Sequence, residues 1–164
     1  MIYIHLPFLP PTVNNAYETI PKRRIGKKMV GGGRRLTKEG KAFKRELAQH
    51  ILEHHAMETG QIGAIAGIGI WVSVGFPDLL NKGYPEKAKT RYKKKDALNR
   101  RKVLDDGLSE VLAFDDSQII FDNTTKYLSQ VEETRIWMWD EEVEAIGARL
   151  TQAFASLAGL SPAV

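Results

Sequence analysis

The sequence predicts a mixed α/β (α+β) fold, one domain in which a β-sheet of about four strands is packed by helices. Two patterns carry that expectation. Strict alternation appears at Ile2, Ile4 and Leu6, and again from Ile68 to Phe76, the period of a strand with one buried face. Spacing of three and four recurs at Phe43, Leu47, Ile51 and Leu52, and at Val103, Leu104, Leu108, Val111 and Leu112, the stripe of a helix lying on a core. A third observation sets the scale: 164 residues hold one real core and are too few for two comfortable ones. Residues 1–139 form the main body, and 140–164 a C-terminal helix and tail of the same domain.

In chain order, residues 2–6 make a first strand, with Tyr3 and His5 on its outer side, and Pro7, Pro10 and Pro11 end it. His5 suits a hydrogen-bonded strand position better than a metal ligand. Residues 12–36 lack hydrophobic periodicity and read as a long basic loop around Gly26 and Gly31–Gly33. Thr37 suits the N-cap of a helix running to about Met57, stopped by Thr59-Gly60. A strand spans 62–76; its glycine-bearing face (Gly67, Gly69, Gly75) allows a close backbone approach. Asn99 is a candidate N-cap for a helix over about 99–113. Ile119–Lys126 and Thr134–Trp139 read as two strands of a hairpin linked around Leu128-Ser129-Gln130. Val143, Ile146, Leu150, Phe154 and Leu157 give a last amphipathic helix.

Composition excludes several classes. Without cysteine there is neither a disulfide frame nor a thiolate metal site. No apolar run reaches the ~20 residues needed to span a bilayer. The start, Met1-Ile2-Tyr3-Ile4-His5-Leu6, lacks the basic n-region of a secretory signal. A cytoplasmic protein with no membrane partner is expected. The formal net charge of +4 is unevenly spread: 22–35 and 82–102 are basic, 140–144 acidic. Such clustering points to a polyanion.

The most informative stretch runs from Lys93 to Asp116. Lys93-Lys94-Lys95-Asp96 leads into Asn99-Arg100-Arg101-Lys102, then Asp105-Asp106, then Asp115-Asp116. Carboxylates can hold a divalent cation, and clustered cations a DNA backbone; together they suit metal-dependent phosphodiester chemistry. The same residues also suit a solvated basic face with Asp turn residues. On a helix, Asn99, Lys102 and Asp106 share one side. Asp96 and Asp116 start at opposite ends of that helix, and are expected to meet through a strand returning along it.

This stretch resembles the signature of the RusA family of Holliday junction resolvases, Asp-x-Asp-Asn-x-x-Lys-x-x-x-Asp followed by Asp-Asp before a strand. Asp96, Asn99, Lys102, Asp106, Asp115 and Asp116 fall on it. Two further blocks are similar to the family's: Pro10-Pro11-Thr12-Val13-Asn14-Asn15-Ala16-Tyr17, and the helix start Leu36-Thr37-Lys38-Glu39-Gly40-Lys41-Ala42-Phe43. Together the blocks span about residues 2–139. One position departs: where the family carries its second acid, this chain has Leu98. Leucine has no donor atom, so either Asp105, Asp106 or Asp115 supplies the missing oxygen, or cleavage is weakened.

The resemblance implies a RusA-like, dimeric endonuclease domain, bacterial or phage-encoded. It would cut four-way DNA junctions by paired nicks in recombination and repair. It implies Mg²⁺ as cofactor, with Mn²⁺ as substitute, and no small-molecule cofactor. On that reading Asp96, Lys102 and Asp116 are catalytic; Asp96, Asp116 and Asp115 hold the metal; Asp106 supports them. Asn14, Asn15, Lys93, Lys94, Lys95, Asn99, Arg100, Arg101 and Lys126 contact DNA. The alternative is a catalytically weakened junction-binding protein, because of Leu98. A homodimer would present two sites to the two opposed strands of a near-symmetric junction.

Overall fold

The computed structural model describes residues 1–56, 62 and 67–140. Among them the architecture is α+β: helices lie on one face of a four-stranded mixed sheet. The elements are β1 (Ile2–Leu6), α1 (Val13–Ala16), β2 (Tyr17–Thr19), β3 (Arg23–Ile25), β4 (Lys28–Val30), β5 (Arg34–Leu36), α2 (Lys38–His54), β6 (Ile68–Phe76), α3 (Ala97–Leu112), a 3₁₀ turn (Asp116–Gln118), β7 (Ile119–Leu128) and β8 (Glu133–Asp140). The final helix expected beyond Asp140, and the expected Thr59-Gly60 stop, fall outside the described residues.

The sheet order is β1-β8-β6-β7. β8 runs antiparallel to β1 and β6, whereas β7 runs parallel to β6. The expected hairpin between β7 and β8 is therefore corrected: both strands exist, but β6 separates them. The physical reason is α3. It carries the chain back along the sheet after β6, so β7 enters in the same direction as β6 and takes its free edge, as a crossover connection requires. The link to β8 then passes the end of β6, where Ser129 N donates to Phe76 O at 3.3 Å.

Register assigns the two faces. Ile4, Leu6, Ile70, Val72, Val74, Ile136 and Met138 point inward and are buried, against Phe43, Leu47 and Ile51 of α2 and Val103, Leu104 and Leu108 of α3. Removing these side chains from water is the main stabilising term. Leu52, expected in the α2 stripe, is instead 73% exposed. The opposite face of the sheet carries rings, with Tyr3 and Trp137 5.4 Å apart and Phe121 and Trp139 5.5 Å apart. Gly69 lies under Trp139; a Cβ there would come 2.3 Å from Trp139 Cε2. The close approach expected at the glycine face is thus made by an indole ring.

Two local expectations change. α3 starts three residues earlier than the Asn99 cap predicts. Asp96 is the N-cap, its side chain accepting from Asn99 N at 2.8 Å. Residues 12–36 are not a structureless loop: α1 is followed by two antiparallel ribbons, β2 with β5 and β3 with β4. Thr37 does cap α2, accepting from Gly40 N.

Candidate active site

β6, α3 and β7 position the site. The helix runs back against two parallel strands, so its N-terminus sits at their carboxyl ends, where open sheets commonly hold ligands. Asp96 is there, exposed, with one carboxylate oxygen committed to the Asn99 N–H. Cations adjoin it in the chain and reach it from β7. Lys126, at the end of β7, donates to Lys95 O at 3.5 Å. Lys95 and Lys93 reach Asp78 at 2.8 and 3.3 Å, and the hydrogen bond from Lys95, then that from Lys93, hold its carboxyl below the usual carboxylate range. Lys95 and Arg100 lie over the Phe76 ring, at 5.5 and 5.9 Å from its centroid, and Arg100 Nη1 donates to Pro10 O. Lys94 is exposed beside them. The basic connection that delivers these groups is held closed by a Leu80–Tyr92 bridge and by Lys93 N donating to Leu79 O at 2.8 Å.

The other end of α3 differs. A 16-residue helix is about 24 Å long. Asp115 and Asp116 follow it, at the start of β7. Asp115 accepts from Ser117 N at 2.9 Å and closes a capping box with Gln118; the Ser117 hydrogen bonds hold its pKa down. Lys126 marks the level of Asp96 and lies seven residues beyond Ile119, about 23 Å along the strand. The returning strand therefore brings Lys126 to Asp96 and leaves Asp116 behind. Within one protomer, then, the length of α3 lies between Asp96 and Asp116.

Between these ends, α3 meets β7 through Arg101, which was expected on the DNA surface. It is 4% exposed. Its Nε lies 2.5 Å from Asp105 Oδ1, and its Nη1 lies 2.7 Å from Asp122 Oδ1 and donates to Asn123 O at 3.0 Å. It is a structural cation. Burial pushes the Asp105 carboxyl up to about 6 despite the opposing pull of Arg101, and Asp122 and Asp106 add to the rise. On the neighbouring side of the helix Tyr17 Oη donates to Asp106 Oδ2 at 2.6 Å. Burial, then this bond, raises the Tyr17 pKa. Asn14 and Asn15 are exposed on α1 just before it, Asn15 reaching Glu39 at 3.4 Å. Lys102 is exposed on α3, about 1.7 turns from Asp96.

Sequence reasoning missed Asp78 and Asp122. Asp78 follows the strand expected over 62–76 and belongs to none of the motifs. Asp122 was findable: with Thr124 and Lys126 it occupies the inward parity of β7, where a strand with a wholly apolar core face has hydrocarbon. His5 is paired, its Nε2 2.8 Å from Glu133 Oε2.

A divalent magnesium ion requires several oxygens in near-octahedral array. Leu98 contributes hydrocarbon, 73% exposed, in the first turn of α3. Among the described residues no three Asp, Glu or His side chains are grouped to hold a metal ion. Within one protomer the implied set of Asp96, Asp115 and Asp116 does not fit such a site.

The model of the endodeoxyribonuclease RusA family matches residues 16–138. This chain belongs to that family. The matched span contains α2, the connection with its cations, α3, β7 and nearly all of β8, whereas the Pro10–Asn15 block lies just ahead of it. RusA is the family of Holliday junction resolvases. No individually curated protein matches the sequence. No described helix is long and apolar enough to cross a membrane.

Proposed function

We propose that this RusA-family chain binds four-way DNA junctions and nicks them in opposed strands, as a homodimer acting in recombination and repair. The observation that carries this reading is the meeting of family membership with a collar of Lys93, Lys95, Arg100 and Lys126 around Asp96. The cations would hold backbone phosphates, positioning the duplex without reading sequence. Asp96 would present its uncommitted oxygen to the reacting phosphodiester, and Lys102, about 9 Å along the helix, would balance charge at a neighbouring phosphate. Asn99 would steady Asp96 through its backbone N–H. Magnesium, replaceable by manganese, is the cofactor the family implies, and its ligands in this chain are open to assignment. DNA as substrate makes the cytoplasm of a bacterial cell, on a host or phage gene, the fitting place of action.

A second reading is favoured by Leu98 and by the distance between Asp96 and Asp116: a junction-binding protein with weakened cleavage. One assay separates the two. A labelled synthetic four-way junction is incubated with saturating protein and Mg²⁺ or Mn²⁺. Paired nicks by the natural chain support the first reading. Binding without nicking, with at least about a tenfold gain in Leu98→Asp, supports the second. Absence of any preference for the junction over linear duplex overturns both.

A further inference from the structure

Between β2 and β5 the chain leaves the body as an arm. Ile20 N donates to Gly33 O at 3.0 Å, extending the β2–β5 ladder outward. β3 and β4 then form a second ribbon with Ile25 opposite Lys28. Gly26, at φ +60°, suits the first central position of a tight hairpin turn. On the return, Gly31, Gly32 and Gly33 have φ of +87°, +93° and +99°, and a Cβ on Gly31 would come 2.9 Å from Pro21 O. The bend that aims the ribbon therefore requires glycine.

The arm's surface is unlike that of the domain. From Ile20 to Arg35 there are seven Lys or Arg residues (22, 23, 24, 27, 28, 34 and 35) and no carboxylate. Among the described residues only Arg35 of these forms an ion pair, with Glu18 at 2.8 Å. Ile25, Met29 and Val30 are 66%, 62% and 48% exposed, and none joins the core. Large apolar groups held in water among unpaired cations are an unfavourable arrangement for the free protein. It becomes favourable against a polyanion that also offers an apolar surface. DNA is such a ligand where base stacking is interrupted, as at a branch point. Two strands about 4.8 Å apart with their side chains fit a major groove of about 12 Å.

We infer that the β3–β4 ribbon is a DNA-inserting arm: Arg23, Arg24, Lys27 and Lys28 hold phosphates, and Ile25 and Met29, on the ribbon's two opposite faces, pack against the unstacked bases on either side of the branch. The inference rests on the branched-DNA reading above. It adds that the arm, rather than the Asp96 collar, distinguishes a junction from plain duplex. The Tyr17–Asp106 hydrogen bond ties the base of the arm to α3, so an arm seated in the branch is in fixed register with Asp96.

The experiment measures binding of the full-length protein to a four-way junction and to a linear duplex of matching sequence, over a range of salt. Ile25→Ser/Met29→Ser should weaken junction binding at least about tenfold and leave duplex binding within about twofold. A 2-aminopurine at the branch should lose its fluorescence rise with this variant. Arg23→Gln/Arg24→Gln/Lys27→Gln/Lys28→Gln should weaken binding to both DNAs and lower the salt slope by about three to four. All six residues are exposed, so far-ultraviolet circular dichroism and the melting temperature should be unchanged. A serine variant that keeps the natural junction-to-duplex ratio overturns the arm's role and leaves junction binding standing. A natural chain with equal affinity for both DNAs overturns the branched-DNA reading and the arm's role together.

Discussion

The two ends of α3 carry the same residue type to opposite effect. Asp96 begins the helix and Asp115 opens the turn that follows it, and both use a side-chain oxygen to cap a backbone N–H. Near Asp96 in the chain stand Lys93, Lys95 and Arg100, lying on an aromatic ring or paired through Asp78, and Lys126 reaches the Lys95 carbonyl. Around Asp115 the partners are its own turn: Ser117 and Gln118. A carboxylate in a positive collar at the carboxyl ends of parallel strands can take part in phosphate chemistry. One that closes a capping box at the other end holds the chain in place. Position in the fold, more than residue type, separates the two.

The widest separation should appear at Asp96. Asparagine is an N-cap as good as aspartate, so Asp96→Asn keeps the helix start and removes the charge. Nicking of a four-way junction should fall about 10³-fold, with the melting temperature held. Asp96→Ala should add about 1 kcal/mol of destabilisation through the lost cap. If Asp96→Asn cuts as well as the natural chain, the carboxyl-end collar is not the reaction centre.

Next comes the joint between the ends. Arg101 neutralises Asp105 and Asp122 from a buried position, and truncating one member of such a group leaves the others uncompensated. Arg101→Ala should cost about 3 kcal/mol in urea unfolding. A neutral result would mean that Arg101 turns outward in solution and is free for DNA after all.

Asp105 gives the same joint a pH signature. Its folded pKa, about 6, lies above the ordinary 3.8. The native state therefore holds this proton more tightly than the unfolded chain, and the Asp105 contribution to stability is greatest below about pH 4 and declines as pH rises to about 6. The decline should be of order 3 kcal/mol. Glu133 has the opposite sign. The hydrogen bond from Ser129, with those from His5 and Arg135, lowers it to about 2 against 4.5, so its contribution is present above 4.5 and is lost as pH falls toward 2. Between about 4.5 and 6 Asp105 is opposed by His50, whose pKa burial lowers from 6.5 and whose contribution is lost as pH falls below that value, so the Asp105 share is read from its variant. Asp105→Asn should flatten the difference there, and an unchanged slope would reject the buried-carboxyl account.

How much of this was legible follows from what each element packs against. β1, β6 and the α2 and α3 stripes were readable because each has one buried face, and burial writes its period into the sequence. The arm was not, because a two-stranded ribbon with solvent on both sides has no core to alternate against; Arg23-Arg24-Ile25 reads as loop for that reason. The β7–β8 hairpin was misjudged because a four-residue link between two strands looks local, while β7's true neighbour is set by a crossover through α3. The family motif marked Asp96, Asn99, Lys102, Asp106, Asp115 and Asp116 as a set. Only the helix length separates Asp96 from Asp116 within one protomer. Asp122 and Asp78 matter through partners 21 and 17 residues distant, Arg101 and Lys95, which no local pattern announces.

The smallest effect tests the quiet end. Asp115 lies two residues past Ala113, which sits in the left-handed region at φ 55°, and its side chain fixes the 3₁₀ turn from which β7 departs. Asp115→Ala removes that acceptor and should cost about 1 kcal/mol, read as a drop in melting temperature of a few degrees. Junction affinity should stay within about twofold, since the cations that would hold phosphate stand about 20 Å away. Asp115→Asn keeps a capping oxygen and should recover most of the stability. If Asp115→Asn folds as well as the natural chain yet loses nicking to the degree of Asp96→Asn, the charge at this end takes part in the reaction. The contrast between the two ends would then have to be drawn across two protomers instead of along one helix.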